Sequence, residues 1–267
     1  MARVRLGAVE YLNARPLVYG LDGSPRFSLR FDVPSRCADL LHAGDIDLGL
    51  IPSIEYLRGP MPYAIVPGLA IASRGPVASV ALYTRREPRD VRSIAMDTSS
   101  RTSVALVTVI FSRVYGVTPR PVPAPPDVEA MLAAADAALI IGDNALLLDH
   151  QAAGVQKIDL GEVWTATTGL PFVYAFWAGR PGVLAPDGVV ELRRACQRGA
   201  ADVMGISRMY FPGDAGRQAI ASSYLRDNIR YDLKPVEIEG LRTFYRFAAE
   251  LGLASFDGAL RFYDAED

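Results

Sequence analysis

Short runs of β-branched and apolar residues alternate along the chain with longer segments in which apolar residues recur every three to four positions. This alternation predicts strands joined by helices, in an α/β protein with a largely parallel sheet. The predicted strands are residues 4–9, 29–33, 48–51, 78–83, 93–96, 138–141, 156–159 and 173–178. Helices are expected in most of the intervals between them.

The clearest predicted helix begins in the hydroxyl-rich segment 99–103 and runs to about Tyr115, where Gly116 ends it. Its almost entirely apolar body predicts burial against a sheet. The proline-rich segment 119–126 is expected to be a surface connection or a sheet edge, because proline cannot donate a backbone hydrogen bond. A second apolar stripe at helical spacing, within residues 235–253, is expected in the core.

The order of these elements predicts two lobes. Lobe I comprises residues 1–85 plus 178–267, and lobe II comprises residues 86–177. The chain leaves lobe I near residues 83–89 and returns along residues 173–179, so two crossing segments form a hinge. This order resembles the type II periplasmic-binding-protein fold, in which a ligand binds in a cleft between lobes that close over it.

Composition excludes several classes of partner. The net charge is −2 and charged residues make up 22% of the chain, so nucleic acid is not an expected partner. Cys37 and Cys196 are far apart, which indicates neither a disulfide framework nor a metal site. The chain has no apolar run of the about 18–20 residues that a membrane helix needs. It also opens on a predicted strand without a signal peptide, so a cytoplasmic location is expected.

Few residues suit catalysis. The two histidines, His42 and His150, fall late in predicted helices, and glycine-rich phosphate loops and zinc motifs are absent from the sequence. Neutral hydrogen-bonding residues remain, in three segments that each follow a strand and begin a helix: residues 11–17, 52–56 and 99–103. Free N–H groups at helix N-termini favour a small organic acid as ligand. The alternative for each segment alone is a simple helix cap.

Six short motifs span about 160 residues of the chain: Tyr11-Leu12-Asn13-Ala14-Arg15-Pro16-Leu17, Ile51-Pro52-Ser53-Ile54-Glu55-Tyr56, Ser99-Ser100-Arg101-Thr102-Ser103, Ile140-Ile141-Gly142-Asp143-Asn144-Ala145-Leu146, Asp159-Leu160-Gly161-Glu162-Val163-Trp164 and Thr168-Gly169-Leu170-Pro171-Phe172-Val173. In order and spacing they resemble the chorismate dehydratase family of the futalosine route to menaquinone. A sister family that makes 1,4-dihydroxy-6-naphthoate typically opens with a Ser-Pro and Asn-Asp motif, which this chain lacks.

The resemblance implies a hydro-lyase that converts chorismate to 3-[(1-carboxyvinyl)oxy]benzoate without a cofactor or metal. It implies Asn13 as the catalytic residue. The expected substrate-binding residues are Arg15, Ser53, Glu55, Ser99, Ser100, Arg101, Thr102, Asp143 and Phe172. Three bases stay open: Glu55, Asp143 and the enolpyruvyl carboxylate of the substrate itself. The alternative functions are a non-catalytic carboxylate-binding protein of the same fold and the sister naphthoate synthase.

Overall fold

The computed structural model describes residues 3–264 and contains two β-sheets packed with helices. Residues 1–2 and 265–267, which belong to the predicted lobe I, lie outside the described residues. The strands are β1 Val4–Val9, β2 Phe27–Asp32, β3 Leu48–Pro52, β4 Ala64–Ile65, β5 Ile71–Ser73, β6 Val80–Thr84, β7 Ser93–Asp97, β8 Arg120–Ala124, β9 Ala137–Ile141, β10 Gln156–Asp159 and β11 Phe172–Gly179. The helices are α1 Pro34–Ala43, α2 Glu55–Arg58, α3 Arg101–Ile110, α4 Val128–Ala134, α5 Gly142–Leu147, α6 Leu160–Thr168, α7 Pro186–Ala201, α8 Val203–Tyr210, α9 Ala215–Ser223 and α10 Pro235–Glu250.

The first sheet has the strand order β2-β1-β3-β11-β4, with β5 also paired to β11. The second has the order β10-β6-β9-β7-β8. Strands β1, β2 and β3 run parallel, as do β7, β8 and β9, whereas β11 and β6 are antiparallel to their neighbours. The expected largely parallel sheet is therefore corrected to two mixed sheets. The antiparallel strands lie where the chain enters or leaves a lobe.

The two-lobe α/β prediction is confirmed, with one difference in where the lobes divide. Strand β6 pairs in the second sheet and β11 pairs in the first, whereas the expected boundaries at residues 85 and 178 assign them the other way. The crossing segments are therefore residues 74–79 and 169–171. Apolar periodicity reports that a strand is buried but not which strand is its partner, so the pattern alone misplaced this boundary.

The helix at the centre of the second lobe follows its predicted bounds. Ser100 caps α3 by accepting a hydrogen bond from the Ser103 backbone N–H, and a π-helical turn continues the helix over Phe111–Tyr115. Gly116 ends it with a φ of 70°, a left-handed conformation that glycine adopts without strain. The body of α3 is buried, as its apolar composition predicted.

Two other local expectations are confirmed. The proline-rich strand β8 is an edge strand that pairs only with β7 in the described sheet. The apolar stripe of α10 lies in the core, with Leu241, Phe244 and Tyr245 fully buried. In the part of the chain that the structure describes, no helix is both long and apolar enough to cross a membrane.

Candidate active site between the lobes

The carboxyl ends of several strands from both lobes meet at a narrow cavity. The first lobe contributes the carboxyl ends of β1 and β3 and the first half of the antiparallel β11, including Tyr11, Asn13 and Tyr174. The second lobe and the first crossing segment contribute Ser79 and Ser100, with other residues at the start of α3 and at the end of β9. None of the lining side chains, all within residues 3–264, carries a charge. The cavity is thus neutral, with several hydroxyl and amide groups.

Asn13 lies in the 3-10 turn Leu12–Val18 that follows β1. Its backbone carbonyl accepts a hydrogen bond of 3.0 Å from the Tyr231 hydroxyl, which holds the turn in place. Its side-chain oxygen Oδ1 is buried and has no hydrogen-bond partner among the described residues. A buried amide oxygen without a partner is costly, so this atom is available to a ligand with a hydroxyl or N–H donor.

The N-terminus of α3 forms the opposite side. The Ser100 and Ser103 hydroxyls lie 2.9 Å apart at this end of the helix, and both residues line the cavity. The first N–H groups of a helix and its dipole attract negative charge. This arrangement suits a carboxylate that enters from the cavity.

Two tyrosine hydroxyls in or near the site lie within hydrogen-bond distance of serine hydroxyls. The Tyr224 hydroxyl lies 2.6 Å from Ser79 Oγ, and the Tyr174 hydroxyl lies 3.0 Å from Ser73 Oγ. Burial raises the pKa of Tyr224, while hydrogen bonds with Ser79 and Asn13 oppose the rise. Burial also raises the pKa of Tyr174 well above its ordinary value. Both phenols therefore stay protonated at neutral pH and act as neutral hydrogen-bonding groups.

The first crossing segment is held in an unusual backbone conformation. Ala78 has a φ of 65°, a region that residues with a Cβ rarely adopt. The Asp159 carboxylate accepts hydrogen bonds from the Val77 and Ala78 N–H groups at 3.0 and 2.6 Å. The same carboxylate caps α6 through the N–H groups of Gly161 and Glu162. Asp159 thus ties the segment that carries Ser79 to the start of α6.

Glu55 and Arg101 lie beside the cavity rather than in its lining. Glu55 is buried, and its two oxygens bind Arg58 at 3.1 Å and Arg101 at 2.8 Å. Arg101 also binds Asp39 at 2.8 Å. Since Arg101 begins α3 while Glu55 and Asp39 belong to the first lobe, these ion pairs join the two lobes. Both residues thus have charged protein partners in the described structure, and their predicted substrate contacts stay predictions.

Asp143 and Arg15 line a second, larger cavity of about 1070 Å³, which shares Tyr11 with the narrow cavity. The Asp143 carboxylate accepts a hydrogen bond of 3.2 Å from the Leu12 N–H and one from the Tyr210 hydroxyl. The Arg15 guanidinium lies 4.7 Å from the Phe31 ring centre and donates to the Glu10 carbonyl at 2.9 Å. The Arg15 Nε atom is buried and has no hydrogen-bond partner among the described residues. Ligand contacts at Arg15 and Asp143 therefore stay predictions.

The remaining expected residues are not part of the cavity lining. Ser53 and Thr102 are fully buried, and their hydroxyls lie 3.4 Å apart across the lobe interface. Ser99 Oγ lies 3.3 Å from the Tyr11 hydroxyl at the rim. Phe172 is fully buried in an aromatic cluster, with its ring centre 4.8 Å from that of Tyr174. Of the expected site residues, Asn13 and Ser100 line the cavity directly.

Ser79, Ser103 and Tyr174 line the cavity but are not among the site residues expected from the sequence. Ser79 and Tyr174 belong to the two polypeptide stretches around the crossing segments, which are brought together only by the fold. A signal was present for Ser103, because it lies in the hydroxyl-rich segment that begins α3. Among residues 3–264, no three His, Cys, Asp or Glu side chains are grouped as metal ligands would be.

Two sequence comparisons with known proteins show the family of this chain. A family model described as menaquinone biosynthesis matches residues 4–250 of the chain. The chain is also 30% identical to a chorismate dehydratase of Thermus thermophilus, in an alignment that covers 93% of this chain and 95% of that relative. The chain belongs to this chorismate dehydratase family of menaquinone biosynthesis. The resemblance inferred from the six motifs is confirmed.

Solved structures confirm the fold of this family member. A protein of Archaeoglobus fulgidus matches with a TM-score of 0.75 at 16% identity, covering 94% of this chain and 98% of its own. The periplasmic aliphatic sulphonate binding protein of Escherichia coli matches with a TM-score of 0.61 at 17% identity, covering 99% and 94%. The two-lobe periplasmic-binding-protein fold expected from the order of elements is therefore confirmed.

Proposed function

We propose that the protein dehydrates chorismate to 3-[(1-carboxyvinyl)oxy]benzoate in the cleft between its lobes, without a metal or organic cofactor. The observation that carries the proposal is the unpartnered Asn13 amide oxygen, which is buried in a neutral cleft opposite the N-terminus of α3. A family relative named as a chorismate dehydratase supports the choice of substrate.

The cleft must open to admit this substrate. Its volume is about 50 Å³, which is below the about 300–1,000 Å³ of common ligand pockets. Chorismate carries two carboxylates, and the free N–H groups and hydroxyls at the start of α3 suit one of them. Closure around the bound substrate then removes water and strengthens these hydrogen bonds.

A base takes the proton from the ring carbon that carries the enolpyruvyl ether, and the neighbouring hydroxyl takes up that proton as it leaves as water. The electron pair of the broken C–H bond completes the aromatic ring. Because this C–H is vinylogous to the ring carboxylate, negative charge develops on that carboxylate as the proton leaves. Donors at Ser100 and Ser103 therefore stabilise the transition state more than the substrate.

The neutral lining supports the enolpyruvyl carboxylate of the substrate as the base. Glu55 binds two arginines, and Asp143 binds Leu12 and Tyr210, so both rival carboxylates have other partners. In this mechanism Asn13 accepts a hydrogen bond from the substrate hydroxyl and fixes the conformer in which the carboxylate reaches the ring proton.

The test is incubation of the purified protein with chorismate in buffer containing a chelator, with products followed by chromatography and mass. Enzyme-dependent 3-[(1-carboxyvinyl)oxy]benzoate is expected, at the same rate with and without the chelator. Unchanged chorismate together with a raised melting temperature would instead indicate a carboxylate-binding protein, and unchanged chorismate without any such shift would point to another substrate.

Asn13→Ala is expected to lower kcat by about 100-fold, because loss of the hydrogen bond that fixes the reactive conformer misplaces the reacting groups, while KM changes much less. The exposed Asn144→Ala is the matched control and is expected to retain wild-type kcat. Melting temperatures of both variants separate catalysis from folding. Loss of stability with normal turnover per folded molecule in Asn13→Ala would contradict its catalytic role.

A further inference from the structure

One carboxylate of the second lobe binds the turn of the first lobe that carries Asn13. Asp143 lies in the first turn of α5, directly after β9, and its Oδ1 atom accepts a hydrogen bond of 3.2 Å from the Leu12 N–H. Its Oδ2 atom accepts a hydrogen bond from the Tyr210 hydroxyl on α8. Leu12 directly precedes Asn13, whose side-chain amide is proposed to be catalytic.

Both oxygens of the half-buried Asp143 carboxylate have donors within the protein, Leu12 on one and Tyr210 on the other. Burial raises the pKa of this carboxyl, while the hydrogen bonds from Tyr210 and Leu12 and the charge of nearby Arg15 oppose the rise. A carboxylate with a donor on each oxygen is held in one position.

The contact also depends on close approach of the two lobes. Gly142, just before Asp143, has a φ of 64°, and a Cβ at this position would lie 3.1 Å from the Tyr11 ring. The Gly142 N–H donates to the Ser79 carbonyl at 2.8 Å. Glycine therefore allows the end of β9 to approach the turn after β1, and this approach brings Asp143 to Leu12.

The first lobe also holds the Asn13 turn. Helix α7 packs directly on it, since a Cβ on Gly199 would lie 2.5 Å from Pro16 Cα. Tyr231 binds the Asn13 carbonyl. Asp143 contacts this turn from the opposite lobe, so its hydrogen bond with Leu12 forms only when the lobes are together.

We infer that Asp143 is a positioning residue that couples lobe closure to the orientation of Asn13. In the closed form its carboxylate binds the Leu12 N–H, with Tyr210 holding the carboxylate, and Asn13 then presents its amide oxygen to the substrate. In the open form this bond is absent and the turn has one constraint fewer. The catalytic part of the inference rests on the proposed chorismate dehydratase function.

The first experiment measures kcat and KM for Asp143→Ala and Asp143→Asn. Asp143→Ala is expected to lower kcat at least about 10-fold with a smaller change in KM, because a misplaced group costs up to about 100-fold in rate. Asp143→Asn keeps an acceptor oxygen for Leu12 and is expected to recover part of the loss. The matched control is Asp149→Asn, an exposed carboxylate of the same lobe, which is expected to keep the wild-type kcat.

A double-mutant cycle distinguishes action through Asn13 from a general loss of structure. In an Asn13→Ala background, Asp143→Ala is expected to reduce kcat by less than about twofold, because the group it positions is already gone. Multiplication of the two single effects in the double variant would overturn the inference.

Hydrogen exchange tests the same contact independently of turnover. The Leu12 amide is expected to exchange at least about 10-fold faster in Asp143→Ala than in wild-type protein or Asp149→Asn, since a local opening replaces its hydrogen bond. Unchanged exchange at Leu12 would overturn the positioning role. If wild-type protein left chorismate intact but Leu12 exchange rose as expected, the proposed function would fail while the interlobe contact stood.

Discussion

The carboxylate of Glu55 is almost fully buried, and its side chain is only 3% exposed. It has an arginine on each oxygen, at 3.1 and 2.8 Å. A buried charge of this kind is retained when its partners compensate the loss of water. Its partners make Glu55 a bridge between α2 and α3, whereas a catalytic base needs an oxygen directed at the substrate.

Glu55→Gln is therefore expected to keep kcat within about threefold, whereas loss of a true general base lowers kcat by about 100-fold or more. The variant is also expected to be less stable by about 1–3 kcal/mol, because it leaves two arginines with weaker partners. Steady-state kinetics and urea denaturation check both effects. Glu191→Gln, which alters an ion pair with Arg26 on the surface of the same lobe, is the control. A drop of about 100-fold in kcat specific to Glu55→Gln would restore Glu55 as the base.

The backbone of Ala78 is strained, because its φ of 65° is unfavourable for a residue with a Cβ. The left-handed conformation costs about 1–2 kcal/mol, and the extra flexibility of glycine in the unfolded chain costs about 0.5–1 kcal/mol. Ala78→Gly is therefore expected to stabilise the protein by about 0.5–1 kcal/mol, measured by denaturant unfolding. Ala135→Gly, at a φ of −150°, is expected to destabilise it instead.

Between the elements of the first lobe, one cluster of charges joins the start of β1 to the turn before β3 and to the end of β11. Asp47 accepts hydrogen bonds from the Arg5 guanidinium at 2.8 and 3.0 Å and from Arg180 at 2.9 Å. The Arg5 side chain is the main reason that the pKa of Asp47 lies below its ordinary value. The ionised carboxylate is therefore favoured by folding.

The sign of the pH dependence follows from this lowered pKa. The stabilisation is fully present above the unfolded pKa of about 3.9 and is lost as pH falls through the lower folded pKa. Asp47→Asn is expected to lower the melting temperature by about 1–3 °C at pH 7, because the cluster is partly exposed. The difference from wild type is expected to vanish in acid. Asp45→Asn, at an exposed residue of the same turn, is the control. A difference that persists in acid would show that ionisation of Asp47 is not the source of the stabilisation.

At the scale of the whole molecule, the interlobe contacts predict how the cleft opens. Arg101 binds Glu55 and Asp39 on one side of the cavity, and Asp143 binds Leu12 on the other. These contacts hold the lobes together in the described structure. Since ligand binding and closure are coupled, weakening a contact of the closed form also weakens apparent substrate affinity.

Arg101→Met removes the charge from one side while keeping much of the side-chain volume. The radius of gyration of the ligand-free protein, measured by small-angle X-ray scattering, is expected to increase. KM is expected to rise about threefold to tenfold, since each partly exposed ion pair contributes about 0.2–1 kcal/mol. Arg86→Met is the control, because Arg86 pairs with Asp136 inside the second lobe. An unchanged radius of gyration would indicate that Arg101 does not hold the lobes together.

Local pattern was sufficient to predict the α/β class, eight of the strands, helix α3 and the family, because periodicity, caps and motif order are properties of neighbouring residues. It also predicted that Asn13 and Ser100 belong to a site, since both follow strands and begin helical turns. Strands β4 and β5 were missed because they are two and three residues long. Segments this short carry almost no periodic pattern of apolar residues.

Only the tertiary structure decided which polar side chains face the cavity and which face one another. Glu55, Arg101 and Asp143 have the same motif support as Asn13, yet their side chains bind groups far away in sequence, such as Arg101 to Asp39 and Asp143 to Leu12. Ser79 enters the site because β6 joins the second sheet. Such long-range contacts depend on how two sheets are paired and how two lobes meet, and a local pattern does not encode either.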